Sequence, residues 1–137
     1  MFELKKSFWI SCSHRLSNPK FTEEENMKAY GKCHNNPSHG HNFLVTLTLQ
    51  AVDWKLPEDG MIMNFTKVKN VFSKTIDYNY DHKFLNDCAG FKDVPVTAEH
   101  MAKIFYDILK VEIKELYSVE IQETEGASAI YYEGDDE

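Results

Sequence analysis

His39-Gly40-His41-Asn42-Phe43-Leu44-Val45-Thr46-Leu47-Thr48-Leu49-Gln50-Ala51 is the stretch on which the fold turns. Its residues alternate in character. His39, His41, Phe43, Val45, Leu47, Leu49 and Ala51 fall on one side, and Asn42, Thr46, Thr48 and Gln50 on the other, with Leu44 the exception. Successive side chains of a strand point to opposite faces, so this is a strand with one face in a core and one in water. Two histidines lead the buried row.

Upstream, Phe8, Ile10, Cys12 and His14 share a face, while Ser7, Ser11, Ser13 and Arg15 share the other. This is a second half-buried strand, and it too ends on a histidine. Asn18-Pro19 breaks it. Thr22, with Glu25 three places on, makes a capping box and Gly31 a stop, which predicts a short helix from Thr22 to Tyr30. Cys33 to Ser38 is a loop rich in Asn and Pro. Downstream, Leu56-Pro57-Glu58-Asp59-Gly60 reads as a turn. Asn64 is placed to cap a helix in which Phe65, Val68, Phe72 and Ile76 recur with helical period. A loop holding Asp81-His82 runs to Val96. Thr97 then caps a second such helix, with Met101, Ile104, Phe105 and Ile108 as its buried stripe.

The chain closes with a third strand, in which Tyr117, Val119, Ile121 and Glu123 share a face. Glu125-Gly126 turns the chain, and Ala127 to Glu133 returns as the fourth strand. Gly134-Asp135-Asp136-Glu137 is a solvated tail. No repeat, linker or low-complexity segment interrupts residues 1–137, which read as a single domain. The order predicts an α+β fold, an antiparallel four-stranded sheet with two helices on one face. Such a sheet has two edges to protect, and assembly through them is one way to do so.

Composition narrows the function classes. A net charge of -7 and a pI near 5.3 speak against a nucleic-acid binder or an anionic-membrane binder, because neither phosphate surface meets a basic face. An anionic small substrate is still compatible, since a local pocket can be positive on an acidic protein. No apolar run approaches the roughly 20 residues that span a bilayer. The start, Met1-Phe2-Glu3-Leu4-Lys5-Lys6, lacks the apolar stretch of a signal peptide. The three cysteines, an odd number, show no paired spacing, so free thiols and a cytoplasmic location are expected.

The chemistry-bearing residues lie near the strand ends. His39 and His41, two apart on a strand, point the same way and can meet one metal ion. Gly40 between them leaves room for another backbone. His14 supplies a third imidazole if the two strand ends are neighbours, and three neutral histidines plus water is a common catalytic zinc site. The plainer alternative is three polar rings at a sheet edge. Cys33, six residues before His39, is a candidate nucleophile or proton carrier beside a cation; otherwise it is a structural thiol. Cys12 fits packing and Cys88 is uninformative. Asp81 can orient His82 and raise its basicity. Glu123 continues an inward row, where a charge needs a partner unless the strand frays there. Glu99, in the first turn of its helix, suits the helix dipole with no function at all.

Taken together, these residues resemble the 6-pyruvoyl-tetrahydropterin synthase family. Ile10-Ser11-Cys12-Ser13-His14-Arg15-Leu16 is similar to its first-strand motif, Phe-x-Ala-x-His-Arg-Leu. The stretch from Tyr30-Gly31-Lys32-Cys33-His34 to His39-Gly40-His41-Asn42-Phe43 resembles its cysteine-to-histidine segment. Asp81-His82-Lys83, Thr97-Ala98-Glu99-His100 and Gln122-Glu123-Thr124 follow in the family's order. The departures are Ile10, Cys12, Tyr80, Ala98, His100 and an extra imidazole, His34, beside Cys33.

The resemblance implies the tunnelling fold, with strands joined into an oligomeric barrel and two trimers paired as a homohexamer. It implies zinc on His14, His39 and His41, and the conversion of 7,8-dihydroneopterin triphosphate to 6-pyruvoyl-tetrahydropterin with loss of triphosphate. Cys33 would carry the proton, with Asp81 and His82 as a relay. Glu123 would be the main grip on the pterin, helped by Glu99 and the adjoining Thr97. Two other readings are a 6-carboxy-tetrahydropterin synthase, whose cysteine lies closer to the paired histidines, and a metal-binding module without enzymatic activity. The latter leaves Cys33, the Asp81-His82 pair and Glu123 without a role.

Overall fold

The structure, a computed structural model, describes residues 1–34, 38–51, 53 and 55–134. The middle of the expected Cys33 to Ser38 loop and all but the first residue of the expected tail lie outside the described residues. Four strands, β1 (Glu3–His14), β2 (His39–Gln50), β3 (Leu116–Thr124) and β4 (Ala127–Tyr132), form one antiparallel sheet in the order β1-β2-β3-β4. Between β1 and β2 lie α1 (Glu23–Tyr30) and a 3₁₀ turn, Gly31–His34. The capping box forms as expected: Thr22 Oγ1 accepts from Glu25 N–H, and Glu25 returns the bond to Thr22 N–H. Gly31 ends α1 at φ +56°, a left-handed geometry that a side chain would strain.

Between β2 and β3, the chain forms α2 (Phe65–Phe72), a π turn (Ser73–Asp77) and α3 (Tyr78–Tyr80) in succession. A short 3₁₀ turn, Leu85–Asp87, leads on to α4 (Ala98–Lys110). These helices cover one face of the sheet. Ile10, Phe43, Val45, Leu47, Val119 and Ile121 pack from the sheet into one core with Phe72, Ile76, Met101 and Phe105. At about 25 cal/mol per Å² of apolar surface removed from water, this inward row is the main source of stability. The opposite face carries Ser7, Trp9, Thr46 and Glu120.

Four expected core positions move. Phe65 is 55% exposed, because the first turn of α2 projects past the core and lines an open groove with Phe2 and Met61. In α4 the buried stripe is Met101, Ala102, Phe105, Tyr106 and Leu109, with Ile104 and Ile108 only half-buried. The helix is rolled toward β4, where the Tyr106 ring meets Tyr131. Tyr117 leaves the inward row because β3 has a bulge there: Ser118 pairs with Thr48 but Leu116 pairs with Leu49. The extra residue hands the core position to Leu116 and turns Tyr117 toward Tyr132.

The β1 edge is partly covered. His82 N–H donates to Ser11 C=O at 2.6 Å, Ser13 N–H to Lys83 C=O at 3.0 Å, and Ser11 N–H to Asp81 Oδ1 at 2.9 Å. Residues 81–84 thus run beside the end of β1, and Ser13 and Phe84 form a parallel bridge.

Candidate metal centre

Strand register creates the site. His14 ends β1 directly opposite His39, and Cys12 is opposite His41. Alternation then points all three imidazoles to the helix side. Their ring centroids lie 4.5 Å (His14–His39), 5.1 Å (His14–His41) and 4.9 Å (His39–His41) apart. Glu123 joins from β3. It is the extra residue of a second bulge, since Gln122 pairs with Ser128 and Thr124 with Ala127. One ligand atom from each of His14, His39, His41 and Glu123 falls within 4.8 Å of all the others.

These groups converge without satisfying one another. Glu123 Oε1 is 2.9 Å from His41 Nε2 and 3.3 Å from His14 Nε2. Neither nitrogen makes a hydrogen bond, so the contacts have ion-pair distance without hydrogen-bond direction. The His14 tautomer is set from behind: Nδ1–H donates to Val96 C=O at 2.8 Å, leaving a bare lone pair on Nε2. Burial pushes the His14 pKa down, with the neighbouring imidazoles adding to that against Val96 and Glu123. Burial lowers His41 as well. Both rings are therefore neutral near pH 7, the form that binds metal. Buried ring nitrogens without partners, beside a carboxylate, fit a divalent cation; three nitrogens and one oxygen match zinc's usual donors.

Glu99 approaches from the α4 side. With Glu123, Ala98 and residues 127–130 of β4 it lines a cavity of about 450 Å³. Its carboxylate makes no hydrogen bond or ion pair among the described residues. Thr97 caps α4, its hydroxyl accepting from His100 N–H at 3.2 Å. The Val96–Glu99 segment thus orients His14 at one end and presents Glu99 at the other.

A family model described as 6-pyruvoyl tetrahydropterin synthase matches residues 3–134. The chain is 39% identical over 125 residues to a 6-pyruvoyl tetrahydrobiopterin synthase of Dictyostelium discoideum, covering 89% of this chain and 89% of that protein. A solved Caenorhabditis elegans 6-pyruvoyl tetrahydropterin synthase superposes with a TM-score of 0.87 at 29% identity, covering 97% of this chain and 96% of that one. A 6-carboxy-5,6,7,8-tetrahydropterin synthase of Aquifex aeolicus is 32% identical over 141 residues, covering 83% and 82%. The chain belongs to the 6-pyruvoyl tetrahydropterin synthase family.

The other candidate residues of this family member are not gathered at the metal ligands. Cys33 is half-buried in the Gly31–His34 turn, and its carbonyl accepts from Leu16 N–H at 2.9 Å. The other two thiols are occupied. Cys12 is buried, donates to Tyr80 C=O at 3.2 Å and has its pKa pushed up to about 12, chiefly by burial. Cys88, raised by burial, donates to Phe84 C=O. Asp81 and His82 do pair, Oδ2 to Nδ1 at 2.8 Å, but His82 faces solvent. Among the described residues no hydrogen bond or ion pair links them to the histidines or to Cys33.

One expectation changes here, and one departure finds its place. Gly40 needs no special closeness: a Cβ there would lie 3.6 Å from the Cys12 carbonyl, an ordinary contact. The extra imidazole, His34, has both its ring nitrogens engaged away from the cluster. The inward row in β3 marks Glu123 as a charge in need of a partner, and Glu123 reaches the histidine cluster without a hydrogen bond to it. Nothing in the sequence marked the Val96 carbonyl, since any residue offers the same oxygen.

Proposed function

We propose that this chain is a zinc lyase that converts 7,8-dihydroneopterin triphosphate into 6-pyruvoyl-tetrahydropterin with elimination of triphosphate. The observation that carries this reading is the pair of buried, unpartnered ring nitrogens of His14 and His41, converging with His39 and Glu123 beside a cavity that holds a second, free carboxylate. His14, His39 and His41 would hold the metal, with Glu123 as fourth donor in the free protein. A zinc ion held there would supply Lewis acidity toward the substrate's side-chain hydroxyls and the adjoining C–H.

The chain's own groups do the rest. Cys33, as thiolate, takes the proton from carbon and returns it. Glu99 accepts from the exocyclic amine and ring N–H of the pterin, a two-donor edge that suits one carboxylate. This makes Glu99 the main grip and Glu123 the helper, because Glu123 already stands among the groups that would hold the metal. Thr97 fixes the turn that presents Glu99.

The Asp81–His82 relay lies on the β1 edge. The β4 edge and the part of the β1 edge that residues 81–84 leave uncovered, flanked by exposed Trp9, Ile130 and Tyr132, favour a ring of copies in which that edge meets a neighbour's site. A homohexamer of two such rings in the cytoplasm fits the free cysteines and acidic surface.

Incubating zinc-loaded protein with dihydroneopterin triphosphate and identifying the product by mass spectrometry tests the reading. A 6-pyruvoyl product with free triphosphate is expected. A 6-carboxy product would move the chain to the related activity, and no conversion with zinc bound would leave a metal-binding module.

A further inference from the structure

The geometry points to His34 as a positioning residue that bolts the Cys33 turn to the strand end carrying His14. The inference rests on the proposed role of Cys33, but the contacts behind it stand by themselves. His34 ends the Gly31–His34 turn and is fully buried at 1% exposure. Its Nδ1–H donates to Leu16 C=O at 3.1 Å. Its Nε2 lies 2.9 Å from Arg15 Nη2 and 3.0 Å from Glu23 Oε1. Its own carbonyl accepts from Arg15 Nε. Leu16 N–H, in turn, donates to Cys33 C=O.

Arg15 is itself held. Its N–H donates to Asn86 Oδ1 at 2.9 Å and its C=O accepts from Asn86 Nδ2 at 2.8 Å. Arg15 and Leu16 directly follow His14. The backbone bearing the thiol is therefore referenced to a metal ligand through a ring next door to it. Glu23 extends the tie to the first turn of α1, and its carboxyl is held below the usual range, chiefly by its hydrogen bond with His34.

The ring keeps its place whichever way it is protonated. A proton on Nδ1 is fixed by the Leu16 carbonyl. In the neutral ring Nε2 accepts from Arg15; in the cation Nε2–H donates to Glu23. Every hydrogen-bonding position of His34 is then used, so it has no proton to trade with substrate and no lone pair for metal. It acts through Cys33. A misplacement of about 1 Å in a reacting group can cost on the order of a hundredfold in rate, so such a bolt has kinetic consequence.

The test uses the zinc-loaded full chain with His34→Ala and His34→Asn. Asparagine offers an N–H near the position of Nδ1 and can keep the Leu16 bond; alanine cannot. The first readout is turnover of dihydroneopterin triphosphate. The second is iodoacetamide alkylation mapped to Cys33, with Cys12 as the silent internal control. For His34→Ala, kcat should fall about tenfold or more while KM and zinc content hold. Alkylation of Cys33 should rise severalfold as the turn frays into solvent. His34→Asn should recover most of both changes. Wild-type kcat and wild-type alkylation in His34→Ala would overturn the inference, and so would a loss shared by KM, zinc and kcat that asparagine does not rescue. If His34→Ala does not fold, Glu23→Gln should shift alkylation in the same direction by less, and no shift would count against the bolt. If the wild type fails to convert the pterin, the functional reading falls, yet the alkylation arm still decides the bolt.

Discussion

The histidine end of the sheet and the Asp81–Lys83 segment both carry residues assigned to the chemistry, but they are positioned by opposite means. His14, His39 and His41 are placed by strand period and register alone: two rings at i and i+2 on β2, and a third directly across on β1. Asp81 and His82 follow a helix end and are placed by three hydrogen bonds to the β1 edge. The first arrangement is rigid because the whole core enforces the register. The second hangs on an exposed edge, where a neighbouring chain can complete it. The three-histidine cluster is therefore built within the single chain, whereas the Asp81–His82 pair lies on a strand edge.

The largest effects should fall on the register-built half. His39→Ala/His41→Ala should lose zinc altogether and drop turnover below detection. Its circular dichroism should remain that of the folded sheet, since the core below Phe43 is untouched. Metal analysis that finds zinc retained would break the comparison at its root. Cys33→Ala comes next. Losing the proton carrier should lower kcat by about 10²- to 10⁴-fold with zinc still bound. Turnover near wild type would return Cys33 to a structural role and leave the Asp81–His82 pair as the candidate base.

The sequence was legible where local period decides position. The strand alternation around His41 and before His14 fixes which rings face inward, and antiparallel pairing of adjacent strands then brings them together. The capping box, the helix N-caps and the turn residues read correctly for the same reason, because their partners lie within four residues. It was least legible where a bulge intervenes. Tyr117 sits in a faultless alternating row, yet one extra residue in β3 exchanges it for Leu116. Nor does alternation say what a buried charge will meet: Glu123 was placed inward correctly, but its neighbours come from β1 and β2. The His34 contacts were invisible because they tie a turn, a helix start and a strand end that no short motif connects.

The two carboxylates sharpen the comparison further, because one belongs to the register-built cluster and the other to a helix start. Glu99→Gln should weaken pterin binding by about 2–5 kcal/mol, the range for truncating a hydrogen-bonded charged partner, and leave zinc affinity unchanged. Glu123→Gln should instead weaken zinc, with pterin binding reduced less. Isothermal titration with metal and with a non-reacting pterin reads both. If Glu123→Gln loses pterin and keeps zinc at full affinity, Glu123 is the anchor after all and the order of the two acids reverts.

The smallest effect should be at Asp81, where the edge-built half can be probed in the absence of substrate. Burial alone would raise the Asp81 pKa, but the hydrogen bonds from Ser11 N–H and the His82 ring outweigh it and hold the carboxyl below its usual range. A carboxyl with a depressed folded pKa stabilises the native state above its unfolded pKa of about 3.9, and that stability is lost as pH falls through the lower folded value. The side chain is 32% exposed, so solvent screening keeps the contribution to about 1 kcal/mol or less. Asp81→Asn retains an oxygen for Ser11 N–H and removes the charge together with the acceptor for the His82 ring. Its urea midpoint should therefore lie slightly below wild type at pH 7, and the gap should close as pH is lowered through the Asp range. A gap that persists unchanged at low pH would mean that the amide disturbs packing at the β1 edge, and that charge does not hold residues 81–84 there.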